Sequence, residues 1–141
     1  MKSLECSSRG YKPLSAFYAM VKIYGKLDSI ENHYQNAKRD YNNNPVGKGK
    51  PVHHMYFEGI KFRPEYLSAY YKILWVKYLD EHPKVVSYAS NFDTFTDMFR
   101  GKSINCQADV INDYIKHGRS YILEDKKVQE FLYILKCYRM K

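Results

Sequence analysis

The chain has 141 residues, 45% hydrophobic and 27% charged, which fits one globular domain with one core and excludes a largely disordered chain. No run of about 18 apolar residues occurs, so no helical membrane span is predicted, and Met1–Arg9 lacks the apolar stretch of a secretion signal. Lys and Arg number 23 against 15 Asp and Glu, a net charge of +8 spread over both halves of the chain, which favours anionic partners such as nucleic acid, phosphorylated metabolites or dinucleotides, or serves solubility alone.

Two further counts bear on compartment and surface. Cys6, Cys106 and Cys137 are odd in number and show no C-x-x-C spacing, which predicts reduced thiols in a cytoplasmic protein. Fifteen tyrosines accompany seven phenylalanines and one tryptophan. Tyrosine adds core mass with a polar tip and also makes a stacking surface for bases. Exposed aromatics of this kind would equally support a homodimer.

In chain order, Phe17–Tyr24 is apolar and aromatic and fits a strand. Asp28 or Ser29 then caps a helix whose apolar stripe is Ile30, Tyr34, Ala37 and Tyr41. Residues 42–51 carry turn residues almost throughout and read as a basic surface loop, without the phosphate-loop pattern. Met55–Phe62 fits a second strand. Pro64 opens a helix with Leu67, Tyr70, Tyr71, Leu74, Trp75, Tyr78 and Leu79 on a broad apolar face, ending at Pro83. A third helix places Cys106, Val110, Ile111, Tyr114 and Ile115 together and stops near Gly118. The last, within residues 123–139, turns Val128, Phe131, Leu132, Leu135 and Tyr138 inward. The fold class is therefore α+β, mostly helical, one domain over 1–141 with two or three short strands.

Two segments carry chemistry. Beside the apolar stripe of the Ser29 helix run Glu31, Gln35 and Lys38, at i, i+4 and i+7, at the rim of whatever the helix packs against. A carboxylate there, beside tyrosines and partly desolvated, can serve as an acid or base. A solvated helix face would give the same pattern. The second segment, Asn91–Gly101, sets Asp93 and Asp97 among aromatics and ends in Arg100-Gly101. Carboxylates so placed suit sugar hydroxyls or proton transfer. Asp93 as a helix cap with a core Phe set is the other reading. The five histidines, including adjacent His53 and His54, show no metal-ligand spacing, and no metal or cofactor is expected.

The order of these pieces resembles the NADAR family. Leu14-Ser15-Ala16-Phe17-Tyr18 is similar to its LSNFY opening, and Ser29-Ile30-Glu31-Asn32-His33-Tyr34-Gln35-Asn36-Ala37-Lys38 to its helix with Ser-x-Glu, Tyr-Gln and Lys. Trp75–Pro83, Asp93-Thr94-Phe95 and Ile104–Ile111 fall where three further family elements stand, so the resemblance covers about 14–111. It implies a pocket for ADP-ribose-like or phosphoribosyl ligands and an N-glycosidase that cleaves a ribose C1–nitrogen bond. ADP-ribosylated guanine in nucleic acid or nucleotides and riboflavin intermediates are the family's substrate classes. Phage encoding, with action in the host cytoplasm, would suit the family. Motif position gives Glu31 to the ribose and water and Asp93 to ribose hydroxyls or acid–base help. Lys38, Arg39 and Lys12 go to phosphates, Tyr34 or Phe17 to stacking, Gln35 to orienting the carboxylate, and Asp97 to the substrate.

Three departures are visible: Ala16 replaces the opening Asn, Asn32 replaces the His after the Glu, and Thr96-Asp97 stands in place of Trp-Gly. Two alternatives follow. One is a non-catalytic pocket that binds an ADP-ribose-type nucleotide or modified nucleic acid. The other is a basic surface that binds nucleic acid without a pocket, marked by steep salt dependence.

Overall fold

The computed structural model describes residues 2–47, 49–97 and 107–139. Cys106 and the Phe99-Arg100-Gly101 stretch lie outside them. The centre of the fold is α2, Leu67–Glu81, entered through a 3-10 turn at Pro64–Tyr66. Its buried residues include Leu67, Ala69, Tyr70, Leu74, Trp75, Val76 and Leu79, so it is apolar nearly all round rather than on one face. Such a helix must be covered on every side. The covering is supplied by α1 (Ile30–Asn36), α4 (Gln107–His117), α5 (Arg119–Leu123), α6 (Lys126–Arg139) and strand β2 (Met20–Ile23).

Three small sheets complete the described residues. Strand β1 (Ser3–Glu5) lies parallel to β7 (Thr94–Thr96). Strand β2 forms a hairpin with β3 (Lys26–Ser29) through Tyr24 and Gly25, both at positive φ. Strand β4 (Lys38–Arg39) pairs with β5 (His54–Phe57), which pairs with β6 (Ile60–Phe62). The chain is thus one α+β domain, mostly helical, as its pattern predicts. No described helix is long and apolar enough to cross a membrane.

Several expectations are corrected. Met55–Phe62 is a hairpin and not one strand, because Glu58 and Gly59 adopt φ of 49° and 81°, the two left-handed positions a tight hairpin turn requires. The strand expected over Phe17–Tyr24 occupies only Met20–Ile23. Phe17–Ala19 instead forms a turn, with the N–H groups of Tyr18 and Ala19 both donating to the Ser15 carbonyl. Helix α1 stops at Asn36, and Tyr41, 78% exposed, is not on its stripe. There Lys38 and Arg39 exchange helical hydrogen bonds for pairing with β5, and Asp40 Oδ1 accepts the N–H groups of Asn42 and Asn44 to fix the following turn.

Pro83 ends α2 as predicted and also begins α3 (Pro83–Ala89), where its missing N–H is harmless. In α6, Val128 and Phe131 are buried but Leu132 and Tyr138 are exposed. That helix touches the body along one edge: Phe131 packs 4.8 Å from Phe62 and 6.1 Å from both Phe57 and Tyr70, centroid to centroid. Leu132, one step further round the helix, faces away from that edge.

Candidate functional site

The site grows from the start of α1. Ser29 Oγ accepts the Asn32 N–H at 3.1 Å, and Asp28 Oδ1 accepts both the Ser29 N–H at 2.8 Å and Asn32 Nδ2 at 2.9 Å. These bonds, that from the Asn32 side chain foremost, hold the Asp28 carboxyl below its usual range. Asn32, at the position where the resemblance has His, therefore serves the cap. The next two N–H groups, orphans in an ordinary helix start, are taken by the preceding turn: Ile30 donates to the Ala19 carbonyl at 2.9 Å and Glu31 to that of Ala16 at 3.0 Å. Leu14–Tyr18 and Ser29–Lys38 are thereby one unit.

Gln107, buried in the first turn of α4, clamps that unit from behind. Its Oε1 accepts the Ala16 N–H at 3.0 Å and its Nε2 donates to Asp97 Oδ2 at 2.9 Å. On the exposed side of α1, Gln35 Nε2 donates to Glu31 Oε1 at 2.9 Å. Lys38 Nζ stands 4.4 Å from the centroid of the Tyr34 ring, which packs 5.0 Å from Tyr71. Two buried acceptors in this unit, Gln35 Oε1 and Ser15 Oγ, have no hydrogen-bond partner among the described residues. Buried polar atoms are usually satisfied, so the open Gln35 Oε1, on the amide that holds Glu31, marks a place where a ligand or water completes the bonding.

Glu31, Tyr34, Gln35 and Lys38 are thus brought to one face, with Asp97 linked to them through Gln107 and Ala16. Phe17 is exposed on the adjoining turn, and Lys12 Nζ sits 5.0 Å from the Tyr18 ring beside it. Two predicted residues make their contacts outside this unit. Asp93 Oδ2 accepts the Lys2 N–H at 2.9 Å, at the other end of β7 from Asp97, about 13 Å of extended chain away. Arg39 follows Lys38 on β4 and so points to the opposite side, its guanidinium 5.0 Å from the Tyr56 ring. Gln107, Ser15 and Tyr71 were not singled out from the sequence. The available signal for Gln107 was a polar residue at i−3 and i−4 from the apolar pair Val110 and Ile111.

Two cavities lie elsewhere. One of 370 Å³ is bounded by Lys72, Val110, Asp113, Tyr121, Ile122 and Asp125, and one of 200 Å³ lies behind α1. Glu31 lines neither. No cluster of three or more His, Cys, Asp or Glu that could hold a metal occurs among the described residues.

Fold and site define a small α+β domain organised around a carboxylate–amide pair on a short capped helix. The chain belongs to the DarT1-associated NADAR antitoxin family, whose model matches residues 24–141. The match takes in α1 to α6 and begins after the Leu14–Tyr18 turn that anchors Glu31. No curated protein matches the chain.

Proposed function

We propose that the protein is an N-glycosidase that releases ADP-ribose from a nucleobase, opposing the DarT1 ADP-ribosyltransferase toxin with which its family is associated. The observation that carries this reading is the Glu31–Gln35 pair. Gln35 Nε2 fixes Glu31 Oε1, which leaves Oε2 for a ribose or a water. As the C1–N bond breaks, its electron pair leaves with the nitrogen and positive charge develops at C1 and the ring oxygen. A fixed carboxylate stabilises that charge and accepts the proton of the water that adds to C1. The leaving nitrogen gains a proton or hydrogen bond from a second group. We give this role to Asp97 or Asp93, of which Asp97 is tied through Gln107 to the turn that holds the Glu31 N–H. Lys38 over Tyr34 suits the pyrophosphate, with Phe17 and Lys12 at the rim. An odd number of cysteines without C-x-x-C spacing suits action in the cytoplasm.

The test is base release from an ADP-ribosylated oligonucleotide, followed by chromatography. Glu31→Gln should lower turnover by about 10²–10⁴-fold while ADP-ribose still raises the melting temperature. Wild-type turnover in that variant would sink the catalytic role. The Thr96-Asp97 pair in place of Trp-Gly favours a second reading, a pocket that binds without turnover. That reading requires a thermal shift with no product from the unsubstituted protein.

A further inference from the structure

The 200 Å³ cavity lies against the face of α1 opposite Glu31. On this helix His33, Asn36 and Ala37 line it, whereas Glu31, Tyr34 and Gln35 point the other way. Its far wall is the β5–β6 hairpin and its lip is the β2–β3 turn, with Tyr24 and Lys26. Its volume is below the roughly 300–1,000 Å³ of a pocket for a drug-sized ligand, which suits one ring system with its substituents outside rather than a dinucleotide.

Three features of the lining favour a planar, anionic guest. First, a row of aromatic rings runs inward from the lip: the Tyr24 ring is 5.6 Å from Phe57, and Phe57 is 4.8 Å from buried Tyr70, each pair tilted, by 50° and 46°. Second, Arg39 is held with one edge outward. Its Nε donates to the Asn36 carbonyl at 3.0 Å and its Nη1 to the Asn43 carbonyl at 3.1 Å, while Tyr56 packs against its plane. Nη2 has no hydrogen-bond partner among the described residues, and a preorganised guanidinium edge of this kind recognises phosphate. Third, His33 Nε2 is 2.8 Å from the Val21 carbonyl. Nε2 must therefore donate, which makes Nδ1 of the neutral ring an acceptor. Lys26 adds a second cation at the mouth and Glu58 a single carboxylate, so the balance is positive.

We propose that this cavity is a second ligand site, distinct from the Glu31 face, that takes a nucleotide unit. The base lies against Tyr24 and Phe57, and the phosphate at the mouth meets Arg39 Nη2 and Lys26. The unit belongs either to a free nucleotide or to a nucleic-acid strand. A guest here bridges the β2–β3 turn, α1 and β4, and so braces from behind the helix that carries Glu31.

Isothermal titration calorimetry of the full chain with AMP, and separately with a short single-stranded oligodeoxyadenylate, tests this. Arg39→Gln and Tyr24→Ala should each weaken binding by about tenfold or more, the loss typical of one charge-assisted hydrogen bond or one stacked base. Lys84→Gln, exposed on α3 and lining neither cavity, should leave the affinity unchanged. Because Tyr24 is half exposed and Arg39 lies at the surface, circular dichroism will show both variants folded. Binding of AMP assigns the site to free nucleotides, and binding of the oligonucleotide alone assigns it to a strand. The proposal is overturned if neither probe binds, if folded Arg39→Gln and Tyr24→Ala bind as the wild type does, or if Lys84→Gln alone abolishes binding.

Discussion

Replacing Gln107 by Leu keeps the size and helix preference of the side chain and removes both arms of the clamp behind the candidate site. The Ala16 N–H, in a residue 1% exposed, loses its acceptor. A buried donor left unpaired costs about 1–3 kcal/mol. The bond to Asp97, whose carboxylate regains water, adds about 0.5–1.5 kcal/mol, the net value of an ordinary hydrogen bond. The total of about 2–4 kcal/mol is well inside the 5–15 kcal/mol of a typical domain, so the variant folds. Its melting temperature should fall by about 10 °C. Urea denaturation followed by circular dichroism measures the loss directly. Because the Ala16 carbonyl holds the Glu31 N–H, base release should fall further than the folded fraction accounts for. Gln107→Glu separates the arms, since it keeps an acceptor for Ala16 and sets a like charge against Asp97. A Gln107→Leu variant within about 0.5 kcal/mol of the wild type would refute the clamp, because a buried N–H cannot be orphaned at so small a cost.

Four further outcomes follow from the same coordinates. Ser29→Ala removes the α1 cap and should cost about 1 kcal/mol in urea denaturation. Gly10→Ala drives a Cβ into the Glu5 carbonyl, so backbone must shift; we expect a loss of at least about 1–3 kcal/mol and loosened β1 pairing, seen as faster amide exchange at Cys6, whose N–H bonds Thr96. Trp75 is fully buried with an Nε1 that has no partner among the described residues, so Trp75→Phe should cost less than about 1.5 kcal/mol, against about 3–5 for Trp75→Ala, by thermal melts of both. His54, between Asn43 Oδ1 at 2.7 Å and His53 Nδ1 at 2.9 Å, is pushed below its usual 6.5 by burial first and then by Lys61, His53 and Arg39. The unfolded chain therefore binds the proton more readily. Stability should decline as pH falls below 6.5, by at most about 1.4 kcal/mol per unit from this group, and His54→Gln should flatten that slope.

The long elements were legible because one signal decided each. Period 3.6, Pro64 and Pro83 bracket α2, and Gly118, at φ 87°, stops α4. Short strands carried no such signal. Strand β4 is two residues long and exists only because His54 and Met55 pair with it. Without that strand, Lys38 and Arg39 looked like neighbours on a helix end, and both were given to phosphates; its alternation sends them to opposite sides. The Glu31–Gln35 pair was legible from spacing, since i and i+4 are local to α1, whereas Lys38, expected at i+7 of the same helix, stands on β4. Gln107 was not legible, because its two roles depend on partners that no periodicity brings together: Ala16 is 91 residues away, and Asp97 lies across the intervening segment.

That same separation governs when the Ala16–Glu31 unit can be fixed in place. Strand β1 pairs with β7 at a spacing of 91 residues, and Gln107 meets Ala16 at the same spacing. At about 5–20 residues per second of synthesis, Ala16 leaves the ribosome on the order of ten seconds before its partner does. Through that interval the Ala16 N–H has no clamp and β1 has no neighbour, however early α1 and the β2–β3 hairpin form. Closing two long loops is also the slow part of a folding reaction. The nascent chain can therefore acquire its helix with Glu31 early and a fixed Glu31 only near the end, so that a truncated product, however well capped, is born without the Gln107 clamp.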